Sequence, residues 1–285
     1  MQLSHAELPR SREARRDHGD SPPGPGGSAP GPGGSAPGAG DGGDRPRPTW
    51  YAPRSGRWGD WVAILHPPYT AWHLSYVLIG AALAPHFHLE RLLATLLAFA
   101  LAVGVGAHGL DELKGRPLRT SVPAPLLGAV SALAVGAAVA LGIVGVTEVG
   151  LWLVAFIVAG VLLVVSYNLE IWGGRLHNGT VFALGWGSFP VLTAYYAQTS
   201  TVRLSALAAA AFAFWLSRAQ RSLSGEARDL RRRVSVVTGE RRYLDGTARP
   251  VSRASLLQPV EQALVALSWG SCLLGAGLVL ARTGH

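Results

Sequence analysis

From Tyr69 to Ala281 the chain is divided into seven mostly apolar runs, at about 69–86, 89–107, 122–145, 149–167, 179–198, 203–220 and 256–281. A run of about 17 to 25 such residues is what a helix needs to cross roughly 30 Å of hydrocarbon, at about 1.5 Å of rise per residue. Backbone amides in lipid have no water to bond, so runs of this kind are forced to be helical. The composition agrees. The chain is 49% hydrophobic and 15% charged, and soluble domains carry roughly 25% charge. The expected fold is therefore an all-α, polytopic membrane bundle of about seven transmembrane helices, whose many Gly and Ala residues let neighbours pack closely.

Residues 1–48 differ in kind. "GPGGSAP" occurs at Gly24 to Pro30 and again at Gly31 to Pro37, a composition that cannot bury enough apolar area to offset chain entropy. The expectation is a disordered tail, 1–48, joined to a transmembrane helical domain, 49–285. The tail has no apolar core of the signal-peptide kind, which leaves the first membrane helix to act as the insertion signal. Lys and Arg number 22 ahead of the first run and in the connections after the second, fourth and sixth runs, and 3 on the other side. The positive-inside rule then places the N-terminus in the cytoplasm of a multi-pass protein of the cell membrane. The net charge of +8 is presented to anionic membrane lipids, nucleic acid being the less favoured partner. Cys272, the single cysteine, has no partner for an intrachain disulfide.

Polar residues concentrate on the expected cytoplasmic side, in "HGLDELKGRPLRT", "SYNLEIWGGRLHN" and "SRAQRSLSGEARDLRRR". His108, Asp111 and Glu112 stand at i, i+3 and i+4 and share a helical face before Gly115 and Pro117 end it. Such a face suits Mg²⁺, which takes carboxylate oxygens together with water and phosphate. Lys114, Arg116 and Arg119 are placed to hold phosphate oxygens directly. The alternatives stay open: a charged loop follows from topology alone, and Asp111 is equally readable as a helix-end charge paired with Lys114 or Arg116. The arginines of 228–233 read as anchors at anionic headgroups. His108 reads as ligand, proton acceptor or interfacial side chain; His73, inside the first helix, reads as a pocket or packing residue.

The order of these elements, over about residues 60–235, resembles the UbiA superfamily of intramembrane prenyltransferases. "LHPPYTAWHLSYVLIGAALA" is similar to that family's opening helix, with His66 in place of an arginine. "HGLDELKGRPLRT" stands where its first aspartate motif lies, and "YNLEIWGGRLHNG" with "LGWGSFPVLTAYYA" resembles the following loop and fifth helix. "SGEARDLRRR" falls at the second aspartate motif. The chain departs from the family pattern in several places. Ala107 and His108 replace an Asn-Asp pair, Gly115 replaces a third aspartate, and one helix rather than three follows the sixth loop.

The resemblance implies a UbiA-like bundle with a cavity open to lipid, in which Mg²⁺ receives a prenyl diphosphate. The implied metal ligands are Asp111, Glu112, Glu226 and Asp229. The implied diphosphate contacts are Lys114, Arg116, Arg119, Arg228, Tyr167 and Asn168, and the catalytic set is His108, Asp111 and Glu112. Trp72, Tyr167, Trp172, Trp186, Tyr195 and Trp215 are the aromatic faces on offer to an allylic cation, or to membrane interfaces. The expected function is prenyl transfer from an isoprenoid diphosphate to a lipidic or aromatic acceptor. The alternatives are a non-catalytic UbiA-like protein that binds an isoprenoid or a partner, and a UbiA-type terpene cyclase. Self-association is left open. A retinal Schiff base is excluded because Lys114, the only lysine, lies in a loop, and no paired, broken segments suggest transporter repeats.

Overall fold

The computed structural model describes residues 57–284; the 1–48 tail lies outside the described residues. All seven apolar runs are helical. After a short α1 (Arg57–Leu65) come α2 (Pro67–Ala82), α3 (Leu89–Leu113), α4 (Ala124–Val149) and α5 (Leu153–Asn168). Helix α6 joins Gly179–Ala183, a π-turn at Leu184–Ser188 and Phe189–Thr199; α7 is Leu204–Arg232 and α8 is Arg253–Thr283. Inside α3, Ala100–Ala107 is also π-helical. Helix α3 runs on past its apolar run to Leu113, as expected for the helical face of His108, Asp111 and Glu112, while α7 runs on to Arg232 and carries its polar residues in the helix rather than in a loop. The polar stretch between α7 and α8 holds the one departure from an all-helical fold among the described residues. It is a hairpin of β1 (Glu240–Arg242) and β2 (Ala248–Pro250), antiparallel with Glu240 opposite Pro250.

Helix α2 sits at the centre, and its Trp72, Tyr76, Val77 and Ala81 are fully enclosed by α3, α6, α7 and α8. Trp72 Nε1 donates to the Tyr76 hydroxyl at 2.7 Å, which also receives Ser217 Oγ of α7 at 3.2 Å. Buried polar groups are thus satisfied by one another inside an otherwise apolar core. The outward faces run the other way. Leu133 and Val144 on α4, and Trp269 and Leu273 on α8, are each more than 60% exposed, a surface that water does not favour and lipid does. Three described helices, α3, α4 and α8, are long and apolar enough to cross a membrane.

At one end of the bundle, His88 N–H donates to Gln198 Oε1 at 2.7 Å. There Arg282 donates to the carbonyls of Ala82 and Ala84, both at 2.8 Å, satisfying acceptors that the end of α2 leaves open. At the other end, Arg232 Nη1 donates to Pro117 O at 3.0 Å, and Arg231 Nε donates to Glu261 Oε1 at 2.5 Å. These contacts tie the α3–α4 connection and the start of α8 to the end of α7. Asn178 caps α6, its Oδ1 accepting from Thr180 and Val181 N–H at 3.0 Å each. Asn178→Ala is expected to cost about 1 kcal/mol, read as a lower unfolding midpoint in detergent.

Candidate functional site

A cavity of about 170 Å³ opens at the end of the bundle where α7 meets the α3–α4 connection. Its wall is built from helix ends. Arg221, Arg228 and Arg232 of α7 stand at i, i+7 and i+11, one face of a helix turning about 100° per residue. His108 and Asp111 come from the last turns of α3, Tyr167 and Asn168 from the end of α5, and Trp186 from the π-turn of α6. Arg231, already paired with Glu261, completes the cationic side. Four arginines and two carboxylates, Asp111 and Glu261, therefore line the cavity.

Histidines occupy the interior and are oriented by the backbone. His73 Nδ1 lies 2.9 Å from Trp186 O and His177 Nδ1 3.0 Å from Tyr167 O. A carbonyl only accepts, so each Nδ1 carries the proton and each Nε2 is left as an acceptor. The Trp186 carbonyl is open to His73 because Pro190, four residues on, has no N–H. His177 Nε2 then accepts from Arg221 Nη2 at 3.3 Å. Rings of His66 and His108 meet edge-on at 4.8 Å. Burial first, then His108, Arg232 and Arg228, holds His66 well below the usual imidazole range, so it adds no charge near neutral pH.

An aromatic wall backs the arginines. Tyr167 packs at 4.4 Å on His177 and 4.6 Å from Trp186, and Phe182 stacks on Trp186 at 5.5 Å. Arg221 lies 5.2 Å over Phe182 and 5.9 Å over Tyr167, which fixes a long side chain by its flat face. The Tyr167 hydroxyl and Gln220 Oε1 are buried on this wall without a protein partner. Both residues are 4% exposed, and such groups ordinarily have one.

Comparison with protein-family models, curated proteins and solved structures finds no match. The site therefore stands on its geometry.

Of the residues expected from sequence, the cavity brings together His108, Asp111, Tyr167, Asn168 and Arg228. Asp111 forms no ion pair with Lys114 or Arg116 among the described residues, so its helix-end alternative is not what the fold uses. Glu112 goes elsewhere. It is 1% exposed, and its carboxylate accepts from Leu118 N–H at 2.9 Å, Thr120 N–H at 2.9 Å and Thr120 Oγ1 at 2.8 Å. The shared face of His108, Asp111 and Glu112 is wide: Asp111 and Glu112 differ by about 100°, enough to look into different surroundings.

Glu226 and Asp229 lie about 140° and 80° around α7 from Arg221; both are exposed, and Asp229 pairs with Arg233 at 3.5 Å. Lys114 and Arg119 are exposed, and Arg116 Nη1 donates to the carbonyls of Thr120 and Val122 at 3.1 and 2.6 Å. None of these five lines the cavity. Among the described residues no three His, Cys, Asp or Glu side chains converge as a metal site. Trp72 and Tyr195 belong to the core, while Trp172 and Trp215 are more than 60% exposed. Sequence reasoning passed over His177, Gln220 and Arg221. The signal for Arg221 was its seven-residue spacing from Arg228.

A second, larger cavity of about 360 Å³ runs between α3, α4, α5 and α6. From Arg91 to Val103 it follows α3 for roughly 18 Å, walled by Phe99, Val139, Phe156, Val161 and other apolar groups. Trp186 lines both cavities.

Proposed function

We propose that this protein is a UbiA-like membrane bundle that holds an isoprenoid diphosphate and transfers its prenyl group to a lipidic or aromatic acceptor. The observation that carries the reading is a pair of cavities that share Trp186 in their walls, one cationic and aromatic, the other apolar and elongated. A ligand with a charged head and a branched hydrocarbon chain matches both. In this reading helices α2 to α8 cross the cell membrane with the N-terminus cytoplasmic, as the distribution of basic residues favours.

During transfer the allylic C–O bond breaks with its electron pair leaving on the diphosphate. The acceptor then bonds to the allylic carbon and gives up a proton. In this reading Arg221 and Arg228, on the cavity wall, take up the departing charge, and the faces of Tyr167 and Trp186 on the same wall shield the cation. The Asp111 carboxylate is the candidate proton acceptor. A bound Mg²⁺ in such a family supplies Lewis-acid stabilisation of the leaving group. The donor set here does not fit it: of the four implied ligands only Asp111 lines the cavity. That scarcity favours a second reading, in which the isoprenoid is bound without transfer.

The test is binding and turnover of allylic diphosphates of increasing length by the purified full chain in nanodiscs, with acceptor lipids present. Affinity is expected to rise roughly tenfold or more per added isoprene unit until the groove is full, since each buried CH₂ contributes about 0.8 kcal/mol. Ala138→Phe, within the groove wall, should abolish that gain and leave inorganic pyrophosphate binding unchanged. A flat length dependence rejects the groove. Acceptor-dependent pyrophosphate release that is lost in Asp111→Ala supports transfer; equal turnover in both removes Asp111 from the mechanism, and binding without release selects the second reading.

A further inference from the structure

The carboxylates that a metal-bridged diphosphate would need are turned away from the cavity, and cations stand in their place. Glu112 is fully engaged by Leu118 and Thr120, and Glu226 and Asp229 lie off the cavity face of α7. Glu261 is held by Arg231. Asp111 is left as the one cavity carboxylate without an ion pair, facing Arg221 and Arg228, which also form none among the described residues.

We infer that Arg221 and Arg228 bind the anionic head of the ligand directly, with no divalent cation between them and the phosphate oxygens. The inference rests on the proposed diphosphate reading and replaces the metal expected for it.

Three features give this site its form. Arg221 is pre-positioned, with its guanidinium over Phe182 and Tyr167 and one N–H on His177 Nε2. Its remaining N–H groups are available to an oxyanion, and a planar fork matches phosphate oxygens two at a time. Arg228 is anchored through Nε to Ser224 O at 3.3 Å, and lies two turns further along the same face. The Tyr167 hydroxyl, buried on the cavity wall with no protein partner, supplies a neutral donor between the aromatic wall and the arginines. In the neutral tautomer that each Nδ1–carbonyl hydrogen bond selects, the Nε2 of His73 and of His177 are lone-pair acceptors and offer the anion no N–H donor.

A metal site and an arginine site respond oppositely to the same reagents. The probe is inorganic pyrophosphate, titrated calorimetrically into the full chain in nanodiscs of neutral lipid, in EDTA and in excess Mg²⁺. The arginine site binds in EDTA and binds more weakly in Mg²⁺, which neutralises the probe. Arg221→Gln and Arg228→Gln each weaken binding roughly tenfold or more, the usual value of a charge-assisted hydrogen bond. Asp111→Asn leaves binding equal or tighter, because it removes a like charge from beside the anion.

Arg221→Lys separates geometry from charge. It keeps the cation without the fork and recovers only part of the affinity, whereas full recovery would show that charge alone, not the guanidinium, holds the head. Variants are compared only where their unfolding midpoints match wild type, and Glu226→Gln, off the cavity face, is the neutral control. Binding that appears only with Mg²⁺ and vanishes in Asp111→Asn overturns this inference and leaves the isoprenoid reading standing. Pyrophosphate binding in neither condition, with no binding of an allylic diphosphate either, overturns both.

Discussion

Gly80→Val is expected to leave little folded protein. A Cβ at residue 80 would strike the Val191 carbonyl oxygen and lie 2.9 Å from Val191 Cα. Both obstacles are backbone, so no rotamer change relieves them; α2 and α6 would have to separate along their length. Overpacking of a close contact costs typically 1–3 kcal/mol where side chains can yield, and roughly 3 kcal/mol or more is expected where they cannot. The same contact carries the His73 to Trp186 hydrogen bond, so the cavity loosens with the core. Folded yield in detergent and the midpoint of thermal unfolding measure the effect. Gly270→Val is the control, because a Cβ there meets nothing within 4 Å and an exposed position leaves room for the whole side chain. Equal stability of the two variants would mean that α2 and α6 do not approach as described.

The helices were legible because hydropathy and span length report the same physical demand, that backbone groups in an apolar layer be satisfied within the segment. The run at 122–145 and helix Ala124–Val149 differ by a few residues for that reason. Function-bearing orientation was less legible. The two π-helical stretches, Ala100–Ala107 and Leu184–Ser188, shift the faces of α3 and α6 just before His108 and around Trp186, and no hydropathy pattern marks such a shift. Glu112 shows the second difficulty. A carboxylate one residue from Asp111 reads as its partner, yet tertiary structure gives it backbone donors from residues 118 and 120. In α7 the arginine run looked like headgroup anchoring, but Arg231 and Arg232 bind Glu261 and Pro117 O, partners that only the returning chain provides.

Glu112→Ala is expected to destabilise the same end of the bundle by about 3 kcal/mol, the scale for leaving buried donors unsatisfied. The lost acceptor serves two backbone N–H groups and the Thr120 hydroxyl, and the connection they hold contributes Pro117 and Leu118 to the cavity wall. Water reaching the loop offsets part of the loss, which keeps the figure below the sum for three orphaned donors. Glu112→Gln should fall between wild type and alanine: its amide oxygen still accepts, while its NH₂ would face a donor. Hydrogen exchange at the amides of Leu118 and Thr120 should accelerate in step with the loss of stability, and inorganic pyrophosphate binding should weaken only as far as the loop opens. A ligand role for Glu112 makes the contrary forecast. Glu112→Gln would then leave unfolding and exchange untouched and abolish a Mg²⁺ response, because amide for carboxylate removes a metal charge partner without disturbing packing. The two outcomes separate a carboxylate that builds the site's rim from one that works inside it.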